Sequence, residues 1–174
     1  MRHLDYTTLF RTAAEQHVDL RHSATEMHFG RLVLSGWPIT QLDIAELLDA
    51  QKSKIRLPIL LLESYEARYV NNGADNTRKQ AKGGLIVLDK VAASGSDFDN
   101  RDEVLDRCEQ IGEDVLSYAI EHYRKQKLKL DASTITSEKV GPITGAKLWG
   151  VRFDFQLPEV ATNPLAYQAA KFLP

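Results

Sequence analysis

The chain has 174 residues, of which 43% are hydrophobic and 26% are charged, and its formal net charge is −2. This length predicts a single domain, and the near-neutral charge argues against a dedicated nucleic-acid-binding protein, which would carry a basic surface. The single cysteine, Cys108, rules out an internal disulfide, and no apolar run approaches a membrane span. We therefore expect a soluble intracellular or virion protein, with one domain over residues 1–158 and a tail or arm over residues 159–174.

The first elements in the chain are predicted to be a helix, a strand and a helix. Apolar residues recur with helical spacing over residues 5–21, which predicts an amphipathic first helix. A short strand is expected over residues 27–34 and is broken by Gly36-Trp37-Pro38. Thr40 followed by Asp43 resembles a helix start, so a second helix is expected over residues 40–52.

Residues 57–91 are predicted to form a long β-hairpin, which we call the arm. An apolar run opened by Pro58 turns polar after Leu62, reverses at Asn72-Gly73, and becomes apolar again after Gly83-Gly84. Asn-Gly favours a hairpin turn because both residues tolerate positive φ. The two glycines predict a bulge or bend in the returning strand. Regular alternation predicts one face with Ile59, Leu61, Tyr65 and Tyr69, and another with Leu60, Leu62, Ser64, Glu66, Arg68 and Val70. The arm would be rooted in the core by Ile59, Leu61, Ile86 and Leu88.

A long amphipathic helix is predicted after the arm, beginning at a cap formed by Asp99 or Asn100. Its apolar stripe comprises Val104, Cys108, Ile111, Val115, Tyr118, Ala119 and His122. Strands are expected over residues 133–140 and 149–157, and Pro158 and Pro164 are expected to end regular structure. The elements together predict an α+β fold, with a mostly antiparallel sheet and a long projecting β-hairpin packed against two to three helices.

Metal and reaction sites are not well supported by the spacing of their candidate residues. A zinc site could be drawn from His3, His17, His22 and His28 with Glu15, Asp19 and Glu26. However, His17 and His22 are five residues apart and fall on different helix faces, so His17 is expected to face the core. The acidic segment over residues 97–103 lacks the glycine and glutamate of a calcium loop. Cys108 is expected to be a small buried hydrophobic residue. We predict no catalytic residue, metal or cofactor.

The polar half of the arm is the candidate functional site. Tyrosine and arginine are favoured in protein–protein interfaces, and the mixed charges of the arm fit a protein partner better than nucleic acid. The residues predicted to form this interface are Tyr65, Arg68, Tyr69, Asn72, Arg78 and Lys79.

The order of elements resembles that of the tail-terminator and tail-completion proteins of tailed phages, which act at the tail end or the head–tail neck. The likeness is carried by the Leu57-Pro58-Ile59-Leu60-Leu61 strand, the arm through Asn71-Asn72-Gly73, the helix over residues 101–126 and the strand over residues 149–157. It implies a homo-oligomeric ring, commonly a hexamer, without catalytic residues. Its partners would be other copies of itself and tail-tube, sheath or neck proteins, without membrane or sequence-specific nucleic acid. The location would be the virion tail or neck, and the bacterial cytoplasm during assembly.

Two other classes of function remain open from the sequence. An adaptor or regulatory module could use the same arm on a cellular partner. A small hydrolase or nuclease could use a scattered site that includes His28, Glu63 and Asp89.

Overall fold

The structure is a computed structural model, and it describes residues 2–32, 44, 53–71, 77–91, 97–143, 147–160, 165 and 168–172. Its α-helices are α1, His3–Gln16, and α2, Asp97–Lys125. Its strands are β1, Met27–Leu32; β2, Ile55–Asn71; β3, Thr77–Lys90; β4, Thr136–Ile143; and β5, Leu148–Val160. Short 3-10 helices cover Ala132–Thr134 and Ala169–Lys171.

The five strands form one sheet in the order β1-β2-β3-β5-β4. β1 runs parallel to β2, and every other neighbouring pair is antiparallel. The arm corresponds to β2 and β3, which pair from Ile59 with Leu88 out to Asn71 with Thr77. The predicted α+β fold, with a mostly antiparallel sheet and a long hairpin, is confirmed. The Asn72-Gly73 turn lies outside the described residues.

The main core lies between the helices and one side of the sheet, which we call the helical side. It includes Tyr6, Leu9, Phe10, Ala13 and Ala14 of α1, Cys108, Ile111, Val115, Leu116, Ala119 and Tyr123 of α2, and Val151, Phe153, Phe155 and Leu157 of β5. The predicted alternation of β5 and the burial of Cys108 are confirmed. The predicted stripe of α2 differs at its end, because Tyr123 is buried whereas His122 is partly exposed and hydrogen-bonds to Gln126.

The opposite side of the sheet, which we call the far side, carries a second apolar cluster. It comprises Leu32, Ile44, Ile59, Leu61, Ile86, Leu88, Ile143 and Leu148. The four residues predicted to root the arm in the core, Ile59, Leu61, Ile86 and Leu88, all lie in this second cluster. Their neighbours Leu60, Leu62, Leu85 and Val87 lie in the main core, so the root of the arm is buried on both sides. The predicted helix over residues 40–52 lies outside the described residues, except for Ile44, which is helical and buried.

Both helices begin or end at residues that the sequence pattern does not predict. α1 stops at Gln16 and not near Arg21, because His17 is extended and its Nδ1 accepts a hydrogen bond from the Asp19 N–H at 3.1 Å. Although predicted as part of the helical core stripe, His17 lies beyond the helix, with its Nε2 3.4 Å from an Asp114 carboxylate oxygen.

α2 begins at Asp97, so the predicted caps Asp99 and Asn100 lie within its first turn. Acidic residues are favourable in the first turn of a helix because they lie near the positive end of the helix dipole. The acidic segment can therefore form the first turn of α2 itself. In the described part of the chain, neither helix carries an apolar stretch that would span a lipid bilayer.

Prolines inside the strands lie where the pairing is irregular. Pro58 was predicted to open β2, but the strand already begins at Ile55. Pro58 lies instead inside the strand, where the register with β1 shifts before Leu60. β5 likewise continues through Pro158 to Val160, at a shift in its register with β3. Strands accept proline at such irregularities because a ladder hydrogen bond is missing there anyway.

The strand predicted over residues 133–140 begins later, at Thr136. The Asp131 carboxylate accepts a hydrogen bond from the Ser133 N–H at 3.0 Å, and this stabilises the 3-10 turn Ala132–Thr134 in place of strand.

Candidate functional site

A β-bulge separates the root of the arm from its polar half. The pairing of β2 with β3 shifts between Glu63 and Glu66, so that Ser64-Tyr65 of β2 lies opposite Gly83 alone. A bulge leaves an extra residue on one strand and increases the local bend. The predicted bulge is therefore in the outgoing strand, opposite the glycine, and not in the returning strand. We call the part beyond the bulge, residues 64–71 and 77–82, the distal arm.

The bulge moves the side chains of distal β2 to the opposite faces, because strand alternation shifts by one residue there. Tyr65 packs on the helical side, with its ring centroid 5.3 Å from that of Tyr6. Strict alternation predicted Tyr65 on the face of Ile59 and Leu61, which is the far side, and this prediction is wrong. Arg68 is turned to the far side for the same reason.

Tyr6 of α1 fills the space beneath the bulge. Its hydroxyl donates to the backbone carbonyl of Glu63 at 3.1 Å, and its side chain is fully buried. Burial, together with the nearby Glu63 carboxylate, raises the pKa of Tyr6, so the hydroxyl keeps its proton and remains a donor. A Cβ atom on Gly83 would lie 2.7 Å from this hydroxyl. Glycine opposite the bulge therefore makes room for the link between α1 and the arm.

A buried ion pair holds the far side of the arm root. Arg152 of β5 donates to both oxygens of Glu63, from Nε to Oε1 at 2.8 Å and from Nη2 to Oε2 at 3.1 Å. The Glu63 side chain is 3% exposed and that of Arg152 is 11% exposed. Arg152 also bonds to Asp154 at 2.8 Å and to Glu138 at 3.2 Å. Four charged side chains from β2, β4 and β5 are thus joined across the sheet.

Burial raises the pKa of Glu63, and the hydrogen bonds and charge of Arg152 offset part of that rise. Burial likewise raises the pKa of Asp154. Gly84 leaves the space that the pair occupies, because a Cβ atom there would lie 2.5 Å from Glu63 Oε2. Removing either partner of a buried pair leaves an uncompensated charge, so this contact fixes how β2, β3 and β5 align at the root.

The helical side of the distal arm carries the two tyrosines. Lys79 lies over the Tyr65 ring, with its Nζ 4.7 Å from the ring centroid and 3.0 Å from the hydroxyl. Tyr69 is directly paired with Lys79 and is 47% exposed. Of the predicted interface residues, Tyr65 and Lys79 thus contact each other inside the chain, whereas Tyr69 presents its ring to the surface.

The far side of the distal arm is basic. Arg68, Arg78 and Lys82 are exposed there, opposite Gln80, Val70 and Glu66 respectively. The sequence pattern predicted Arg68 and Arg78 as interface residues but omitted Lys82. Asn72, the remaining predicted residue, lies outside the described residues.

The two edges of the distal arm differ. β5 follows β3 out to the pairing of Lys79 with Val160, so the β3 edge is covered almost to the tip. β1 pairs with β2 only as far as Glu63, and no described strand continues that pairing along residues 66–71. In the part of the chain that the structure describes, the distal arm therefore has one covered edge and one open edge.

The residues of the scattered enzyme site are not brought together. Asp89 lies on the helical side, 3.2 Å from Arg107 of α2, whereas Glu63 lies on the far side with Arg152. His28 Nδ1 is 2.7 Å from the carbonyl oxygen of Pro58. Burial raises the pKa of the Cys108 thiol to about 12, which keeps it protonated and a weak nucleophile. Among the described residues, no group of three or more histidine, cysteine, aspartate or glutamate side chains could hold a metal ion.

Comparison with protein-family models finds no match, and comparison with curated proteins finds none that is similar to this chain. The functional argument therefore depends on the geometry of the arm.

Proposed function

We propose that this protein is a non-enzymatic structural subunit of a phage tail or a related contractile or injection apparatus, forming a ring at the end of the tail tube or at the neck. Its action is assembly, in which the distal arm binds a neighbouring subunit or tube ring. The single observation that carries the proposal is a long β-arm whose root is fixed on both sides of the sheet while its distal half presents the exposed residues Arg68, Tyr69 and Arg78.

The first support is the fixed root. Tyr6 ties the arm to α1 on the helical side, and the Glu63–Arg152 pair ties it to β5 on the far side. A surface that is already ordered loses little conformational entropy on binding. An arm held in this way is suited to make the same contact repeatedly in a symmetric assembly.

The second support is the chemistry of the exposed half. Arg68, Tyr69 and Arg78 are residue types that dominate protein–protein interfaces, because they combine a large contact area with directional polar groups. The tail or neck is proposed as the place of action from the resemblance of the element order to that of tail-terminator proteins, which assemble as rings.

The experiment is to measure the native mass of the purified protein and to image it by negative-stain electron microscopy, with and without tail-tube protein. We expect closed rings, and we expect the R68A/Y69A variant to lose them while keeping its circular dichroism spectrum. K54A/R56A is the matched control, because both residues are exposed near the start of β2, Lys54 just before the strand and Arg56 within it. At tens of micromolar protein, an interface of about micromolar affinity would be occupied. A protein that is a monodisperse monomer at this concentration, and that does not bind tail-tube protein, would refute the proposal.

An adaptor function is the second candidate, and the open edge of β2 favours it. An exposed strand edge can accept an extended peptide as an additional strand. The same images separate the two candidates, because an adaptor would bind a partner peptide without forming a symmetric ring.

A further inference from the structure

We infer that the basic far side of the distal arm binds the acidic outer surface of α2 in a second copy of the chain. This inference rests on the proposed function, since it names the receiving surface within the ring. It is supported by three features: an acidic stripe, a basic face of matching length, and the placement of the two on opposite sides of the molecule.

The acidic stripe runs along the exposed side of α2. Glu103, Asp106, Gln110 and Glu113 are exposed and follow the spacing i, i+3, i+7 and i+10, which places them on one helix face. That face is turned away from the buried residues of α2. In the described part of the chain, Glu103, Asp106 and Glu113 make no ion pair. At 1.5 Å per residue the stripe is about 15 Å long.

The basic face has a comparable length. Arg78, Gln80 and Lys82 alternate along β3, and Arg68 lies beside Gln80. At about 3.4 Å per residue, Arg78 and Lys82 are about 14 Å apart. Glu66 is the one carboxylate on this face of the described distal arm, and Asp154 of β5 lies near Lys82 on the same side of the sheet. The three cations Arg68, Arg78 and Lys82 still outnumber these two carboxylates. Each surface thus has charges at its two ends and a glutamine, Gln80 or Gln110, between them.

The two surfaces cannot meet within one molecule, because the arm face is on the far side of the sheet and the outer surface of α2 lies beyond the helical side. Pairing between copies therefore joins two different surfaces. Such a contact is head-to-tail, and it generates a ring where the rotation closes. Symmetric arm-to-arm pairing is disfavoured, since it would place like charges together.

Charge reversal tests the pairing. We expect R68E/K82E in the arm and E103K/E113K in α2 each to weaken assembly by about tenfold or more, because like charges would then face each other. The chain carrying all four substitutions should assemble again. The matched controls are K54E/R56E and E15K/E26K, which make the same charge changes at other exposed positions and should assemble as the wild type does.

Cross-linking tests the register of the contact. Chains carrying Q80C should form a disulfide with chains carrying Q110C when the two are mixed under mild oxidation, because both positions lie between the charged ends of their surfaces. Q80C mixed with Q16C, which is exposed on α1, is the control pair. The native Cys108 is buried in the structure and should not compete.

The outcomes separate the inference from the proposed function. The ring function stands if rings form and the R68A/Y69A substitution breaks them. This inference is nevertheless wrong if E103K/E113K leaves those rings intact and the Q80C–Q110C disulfide does not exceed that of the control pair. If the wild-type chain forms no ring with or without tail-tube protein, both fail. Restored assembly of the fourfold variant, together with the cross-link, would support the inference.

Discussion

Replacing Arg152 with methionine would leave the Glu63 carboxylate inside the sheet without its cation. Both carboxylate oxygens bond to Arg152, and Glu63 is 3% exposed. Breaking a buried pair by removing one partner typically costs about 3–5 kcal/mol. Arg152 itself is 11% exposed, which lets some water reach the site, so we expect a loss near the lower end, about 3 kcal/mol, at about pH 7.

The loss should become smaller in acid. Burial raises the pKa of Glu63 even with Arg152 present, and removing the guanidinium would raise it further. A carboxyl group whose folded-state pKa is raised contributes stability that is present below its unfolded pKa and is lost as the pH rises through its folded pKa. The difference in unfolding free energy between wild type and R152M should therefore be largest near neutrality and should shrink toward about pH 5.

Urea unfolding followed by circular dichroism, at both pH values, measures these differences. R124M is the control, since Arg124 is a surface arginine paired with Glu121 and should cost no more than about 1 kcal/mol. The double variant E63L/R152M should recover most of the stability, because it removes the orphaned charge. A loss below about 1 kcal/mol for R152M, or an equal loss at the two pH values, would refute the argument that Glu63 is a buried carboxylate held by Arg152.

Three further predictions concern the arm root and the core. G84A should lose about 1–3 kcal/mol in urea unfolding, because its Cβ would lie 2.5 Å from Glu63 Oε2, which Arg152 holds in place; an unchanged midpoint would show that the carboxylate has room to move. Y6F removes the hydroxyl donor to the Glu63 carbonyl and should lower the thermal midpoint by the equivalent of about 1–3 kcal/mol, whereas an unaltered midpoint would contradict that role. Because burial raises the pKa of Cys108 to about 12, native protein should resist thiol reagents at about pH 8 and react on unfolding; rapid native labelling would argue against the burial.

Features with a short, regular period were predictable from the sequence. The alternation of Val151, Phe153, Phe155 and Leu157 identifies both the strand and its buried face, because every second residue must leave water together. The hairpin was also predictable, since its polarity changes along both strands at the same distance from the turn. The end of the apolar stripe of α2 was not predictable, because the buried residue there is Tyr123 and not His122.

Features that depend on contacts between distant strands were not predictable. Arg152 belongs to the polar face of β5 by its pattern, and its burial depends on Glu63, a residue 89 positions away. The bulge depends on how β2 and β3 align, which no local period encodes. Its one signal is Gly83-Gly84, which predicted the extra residue in the returning strand, whereas the outgoing strand β2 carries it. The basic face was missed for the same reason, because only the bulge brings Arg68 beside Lys82 and Arg78.

The bulge at Ser64-Tyr65 also bears on how the length of the arm could change without changing its surfaces. Deleting one of these two residues would leave a single residue opposite Gly83, while Glu66 would still pair with Lys82. Because the pairing beyond the bulge is unchanged, Arg68 would stay on the far side and Tyr69 on the helical side. The bulge is therefore a position at which β2 can lose one residue while the charged and aromatic surfaces of the distal arm keep their places.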